Sequence, residues 1–146
     1  MPFRIMTHED WDYLEEHSLY ENERKNEKAP DHFAYVYEHD GNIIAAGGFQ
    51  AITETTYWAW AQLTEFCDGN LVMAYRVIKE YMDIFCKENK VRRLQAWVRL
   101  GFEEGERMVG HLGFQYESTM HNFVDGMPAK LYVKHMEYKN DGTRPN

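Results

Sequence analysis

The side chains of this chain best suited to metal binding or nucleophilic catalysis are spaced so as to support neither. His8, His17, His32, His39, His111, His121 and His135 fall in at least five predicted elements without an HExxH or Cys-His pattern, so no metal site follows. Ser18 and Ser118 are the only serines, too few to defend a Ser-His-Asp set. Cys67 and Cys86 make neither a disulfide scaffold nor a zinc pair and are expected to be free thiols used in packing. Arg99 and Arg107 flank the fifth strand and the helix after it. They either meet phosphates or an acidic acceptor, or pair with Glu103, Glu104 or Glu106, the commoner use of surface arginines. Trp58 and Trp60 share a strand face and either line a pocket or lie under a helix, with packing the default. What remains is the chemistry of carboxylates, tyrosines and helix ends. Asp68 or Asn70 reads as the N-cap of a long helix, whose first N–H groups can face an anion.

The elements that must position these residues follow from periodicity. In RLQAWVR, Leu94, Ala96 and Val98 alternate with Arg93, Gln95, Trp97 and Arg99, a strand. Gly105, Met108, Val109 and Leu112 then recur at helical spacing, and Gly113 is a left-handed stop before Phe114 opens a new strand. Upstream, Phe3 to Met6 is a short strand, and Thr7 with Asp10 three residues on caps a helix that carries Trp11 and Leu14 to about Tyr20. Glu21 to Asp31 is polar and lacks periodicity. His32 to Glu38 and Asn42 to Ala51 are strands joined at Asp40-Gly41, a hairpin signal. Thr56 to Glu65 is a fourth strand, with Tyr57, Ala59, Ala61 and Leu63 on one face and Trp58, Trp60, Gln62 and Thr64 on the other. Asn70 to about Glu88 is the longest helix, with Leu71, Ala74, Tyr75, Ile78, Met82 and Phe85 on its apolar stripe. Tyr116 to Phe123 and Ala129 to Met136 form a last hairpin. The helix between the fourth and fifth strands implies a right-handed parallel crossover.

Composition sets the outer limits. The 146 residues suit one domain, residues 1–138, with 139–146 a frayed tail, and 44% hydrophobic residues suffice for a core. No run approaches the roughly 18 apolar residues of a membrane span, and the acidic start is unlike a signal peptide, so a soluble cytoplasmic protein is expected. With 24 acids against 16 Lys and Arg, a net charge of −8 argues against a nucleic-acid surface.

The order and spacing of these elements resemble the GCN5-related N-acetyltransferase (GNAT) superfamily over Phe3 to Met136. The resemblance is carried by the Asp-Gly hairpin leading to IIAAGGF, the strand-loop-helix from Trp58 to Glu88, and the helix ending in HLGFQYES. More narrowly, WAWAQLTE, RLQAWVR, FEEGERM, LGFQYE and VDGMPAKLYVK look like small acetyltransferase-like proteins of tailed phages and prophages, some of them internal virion or morphogenesis proteins. The implied fold is a single α/β domain: a mixed, mainly antiparallel sheet of about seven strands, flanked by helices, with the fourth and fifth strands splayed.

The implied activity is acetyl-CoA-dependent N-acyl transfer to an amine acceptor, a small molecule or a protein. The alternative is a non-catalytic protein that keeps the fold as a virion-assembly or host-interaction module; a phage protein would reside in the host cytoplasm or the virion. By resemblance, acetyl-CoA runs along the fourth strand and its pyrophosphate meets the start of the next helix. That implicates Leu63, Thr64, Cys67, Asp68, Gly69, Asn70 and Leu71. EFCDGNL departs from the family pattern in having one glycine and a carboxylate at Asp68. Glu65 stands near the family's base position, with Gln62 and Thr64 as possible water-positioning groups and a solvated strand end as the alternative. The family's proton-donating Tyr is replaced by Val109; Tyr116, just past the turn, is the substitute, unless it only packs. An acidic chain favours a cationic acceptor such as a polyamine, and the last hairpin offers a face for a homodimer.

Overall fold

A computed structural model of the chain describes residues 3–19, 34–67 and 69–137. The element order is β1 (Phe3–Ile5), α1 (His8–Glu16), β2 (Ala34–His39), β3 (Asn42–Ala51), β4 (Thr56–Leu63), a 3-10 turn (Glu65–Cys67), α2 (Leu71–Glu88), β5 (Arg93–Arg99), α3 (Glu103–His111), β6 (Gln115–Val124) and β7 (Met127–His135). The seven strands form one mixed sheet in the order β1-β2-β3-β4-β5-β7-β6. The expected parallel contact is present: Thr56, Tyr57 and Trp58 of β4 pair with Arg93, Leu94 and Gln95 of β5. That ladder of three pairs covers less than half of either strand. Both Asp-Gly pairs turn hairpins, with φ positive at Asp40 (52°), Gly41 (81°), Asp125 (51°) and Gly126 (77°), as a type I′ turn requires. The expected polar run Glu21–Asp31 and the C-terminal tail lie outside the described residues.

The chain contacts group into two compact units, the first comprising residues 1–50 and 59–78. In this unit α1 begins with a full capping box: the Thr7 side chain accepts from the Asp10 N–H and the Asp10 carboxylate accepts from the Thr7 N–H. Arg4 forks onto the same carboxylate at 2.7 and 2.9 Å and also reaches Glu38 at 2.7 Å. Those bonds hold the Asp10 carboxyl below its usual range and raise the Arg4 guanidinium. Trp11 and Leu14 join Val36, Ile43 and Ala46 in the core, and Trp11 meets Trp60 edge-on at 5.9 Å, so Trp60 lies under a helix as expected. Gln62 and Thr64 are buried: Gln62 donates to the Leu14 carbonyl at 2.8 Å and Thr64 to that of Ile43 at 2.5 Å.

Gly47 of β3 faces β4 so closely that a Cβ would lie 2.8 Å from the Trp60 carbonyl oxygen. Because the obstacle is backbone, it cannot rotate away. Gly47→Ala is expected to cost about 2 kcal/mol, read as a lower urea midpoint at unchanged m.

The second unit comprises residues 51–58 and 79–146. Leu94, Ala96 and Val98 are buried, as their alternation implies. On the opposite face Phe123 packs against Trp97 at 5.5 Å and Trp58 at 6.1 Å. On α3, Gly105, Met108 and Val109 are buried. A Cβ at Gly105 would meet Phe102 at 2.7 Å and Val98 at 2.9 Å, so glycine lets α3 sit close to β5. At Gly113 φ is +93°, and the Phe114 N–H returns to the Val109 carbonyl at 3.0 Å, the expected left-handed stop. Glu106 pairs with Lys130 and accepts from the Tyr132 hydroxyl at 3.2 Å; the lysine lowers the carboxyl pKa, and the carboxylate raises that of the lysine. Arg99 approaches Asp125 at 4.0 Å.

Candidate functional site

Residues from two distant stretches of the first unit meet where β4 ends. The strand stops at Leu63, not at Glu65 as its composition suggests, because the Thr64 hydroxyl turns the backbone: it donates to Ile43 and accepts from the Phe66 N–H at 3.2 Å. The Cys67 N–H then bonds to the Thr64 carbonyl at 3.1 Å, closing the 3-10 turn that carries Glu65. On the other side, α1 ends at Glu16, four residues before the expected end at Tyr20. The chain beyond it runs against the end of β4: the Glu65 N–H donates to the His17 carbonyl at 2.9 Å, the Leu19 N–H to that of Leu63 at 3.0 Å, and Ser18 bridges Thr64 antiparallel. Tertiary pairing at residues 17–19 replaces the last helical turn.

This pairing sets His17 beside Glu65, with Nδ1 2.8 Å from Oε2. The imidazole joins a cluster of two rings, Tyr13 at 4.4 Å and Phe66 at 5.3 Å between centroids, which also stack on each other at 6.3 Å. The Glu65 side chain is 57% exposed and that of His17 is 25% exposed, so the pair is anchored yet open to solvent. Loss of solvent raises the Tyr13 phenol pKa, and the charges of Glu65, Glu16 and Glu38 push the same way. A carboxylate bonded to an imidazole that still reaches water is an arrangement for accepting and passing on a proton.

The residues after Glu65 lead into α2. The Asn70 N–H bonds to the Cys67 carbonyl at 2.7 Å and the Asn70 carbonyl accepts from Ala74 at 2.9 Å, so Asn70 holds the N-cap position. The N–H groups of Leu71, Val72 and Met73 therefore have no acceptor within the helix. No acidic residue lies in the first turn, Leu71 and Val72 are exposed, and a Cβ at Gly69 would meet nothing within 4 Å. This helix start suits a diphosphate. Asp68 lies outside the described residues. Leu63, Thr64 and Cys67 have buried side chains, and their carbonyls already accept from the N–H groups of Leu19, Cys67 and Asn70. Tyr116 belongs to the second unit, where its hydroxyl shares a hydrogen bond with Thr119 at 2.8 Å and its ring meets Tyr132 edge-on. Val109 is buried.

No family model and no curated protein matches the sequence. The fold, in contrast, is shared with solved acetyltransferases. A GNAT-family acetyltransferase from Bacillus anthracis superposes with a TM-score of 0.71 at 13% identity, over 92% of this chain and 95% of that one. A point variant of the spermidine N-acetyltransferase from Vibrio cholerae gives 0.69 at 13% identity, over 92% and 95%. The ribosomal-protein-S5-alanine acetyltransferase from Vibrio fischeri gives 0.62 at 18%, over 78% and 64%. At such identities the likeness is one of architecture, and that architecture is the GNAT fold.

Proposed function

We propose that this GNAT-fold chain transfers an acetyl group from acetyl-CoA to a cationic amine. The observation that carries the proposal is Glu65: an exposed carboxylate at the end of β4, anchored to His17 and six residues before the open amide turn of α2. An amine reaches the site as an ammonium ion and must lose a proton before it can attack a thioester, and the Glu65–His17 pair is placed to take it. The amides of Leu71, Val72 and Met73 would hold the diphosphate of the acyl donor. Val109 has no proton to give, so the departing thiolate takes its proton from water. A net charge of −8 draws cations toward the protein, and one structural neighbour is a spermidine acetyltransferase, so a polyamine is the first acceptor to try. A phage or prophage origin agrees with the motif resemblance and leaves this chemistry unchanged.

Thermal-shift titration with acetyl-CoA tests the reading. A ligand that binds only the native state stabilises it by about 2.7 kcal/mol at a hundred times its Kd. A saturable rise in Tm that is weaker with the phosphate-free pantetheine thioester is expected. An unchanged Tm at millimolar acetyl-CoA would sink the transferase and leave the non-catalytic module standing.

A further inference from the structure

We infer that His17, oriented by Glu65, is the base that removes the acceptor's proton; this inference rests on the acyltransferase reading. An ionised carboxylate can only accept hydrogen bonds, so the 2.8 Å contact between Glu65 Oε2 and His17 Nδ1 requires the proton of the neutral imidazole to sit on Nδ1. The lone pair then sits on Nε2, for which the described residues offer no partner. Tyr13 and Phe66 pack against the ring and the Nδ1 bond to Glu65 fixes its rotation, so Nε2 is held in a fixed direction. Among the described residues, the titratable groups facing the ring are Tyr13 from α1 itself and Glu65 from the 3-10 turn, with Glu16 and Glu38 within electrostatic reach of Tyr13. A carboxylate behind one nitrogen and a lone pair on the other is the layout by which an imidazole gains a proton while the carboxylate steadies the resulting cation.

The step balances as follows in atoms and charge. The ammonium R–NH3+ gives one proton to His17 Nε2 and becomes R–NH2. Its nitrogen lone pair forms the N–C bond to the thioester carbonyl, the C–S bond breaks, and the sulfur leaves with the electron pair. The amine's second proton passes through water to the thiolate, and His17 returns the first to solvent. Glu65 is the positioning residue and stays ionised throughout.

Two measurements on the full chain test the assignment. The first, 15N NMR of the imidazoles, needs no turnover: His17 is expected to carry its proton on Nδ1 and to shift toward the Nε2–H tautomer in Glu65→Ala, which removes the acceptor at Nδ1. A His17 already protonated on Nε2, or one indifferent to Glu65→Ala, would overturn the inference. The second follows thiol release from acetyl-CoA with spermidine as acceptor. His17→Gln is expected to lower kcat about 100-fold at nearly unchanged KM for acetyl-CoA. It should also abolish the acid-side limb of the kcat/KM–pH profile, and added imidazole should restore part of the rate to His17→Ala. An active wild type whose His17→Gln variant keeps that limb would overturn the assignment while sparing the transferase. A wild type that releases no thiol with spermidine and shows no acetyl-CoA binding would overturn both.

Discussion

Replacing Asp10 by Ala is expected to lower the unfolding free energy by about 2.5 kcal/mol at pH 7. The figure joins about 1 kcal/mol for a lost N-terminal cap with about 1.5 kcal/mol for charge-assisted hydrogen bonds to Arg4. It sits below the range for breaking a fully buried pair because the Arg4 side chain is 40% exposed while that of Asp10 is 10% exposed. Asp10 stands at a junction: its carboxylate caps α1 through Thr7 and ties β1 to that helix through Arg4. The effect has a defined pH dependence. The folded-state pKa of Asp10 is depressed, chiefly by the Arg4 hydrogen bonds, whereas an unfolded Asp titrates near about 3.9. Its stabilisation is therefore fully present above that value and is lost as pH falls through the folded pKa. Urea unfolding of wild type and Asp10→Asn should differ at pH 7 and converge as pH falls through the depressed Asp10 pKa of the folded protein. A gap that persisted at low pH would assign the effect to packing rather than charge.

The fold was readable because its signals are local. The Thr7–Asp10 capping box, two Asp-Gly hairpins and the Gly113 stop each need only a few neighbouring residues, and each stands where its sequence places it. Alternation in RLQAWVR gives the buried face of β5 directly. The ends of α1 and β4 were less legible for a single shared reason. Residues 17–19 have no local signal against continuing the helix; they leave it because Leu63 and Glu65 offer backbone partners 44 to 48 positions away. Thr64 likewise reads as a strand residue until Ile43 accepts its hydroxyl.

The candidate site divides along the same line. Glu65 could be picked out by its place at a strand end, and Asn70 by capping preference. His17 could not, since it is one of seven scattered histidines and only the tertiary pairing brings it to Glu65. Gln62 and Thr64 show the opposite error: the polar side chains expected to position water are consumed by the Leu14 and Ile43 carbonyls, since a buried polar group must find a partner.

Leu14→Ala carries the largest expected loss of stability, about 3 to 4 kcal/mol. Leu14 has no exposed surface, and its neighbours are poorly able to close the gap: Val36, Ile43 and Ala46 are fixed in the β2–β3 ladder, while Trp11 is held edge-on against Trp60. The substitution removes only the side chain. The Leu14 carbonyl remains to accept the Gln62 amide, so the loss reports the cavity rather than a broken hydrogen bond. A reduced urea midpoint at constant m is the expected signature, and Leu14→Met, which nearly conserves volume, should cost less than about 1.5 kcal/mol. Because α1 also carries Tyr13 and leads into His17, the same cavity should loosen the imidazole. In Leu14→Ala the His17 Nδ1 proton should exchange with solvent faster than in wild type while the β5 and β7 amides of the second unit stay protected against local opening. Equal acceleration in both places would mean that the two units open as one, and that Leu14 secures the entire fold rather than the platform on which His17 stands.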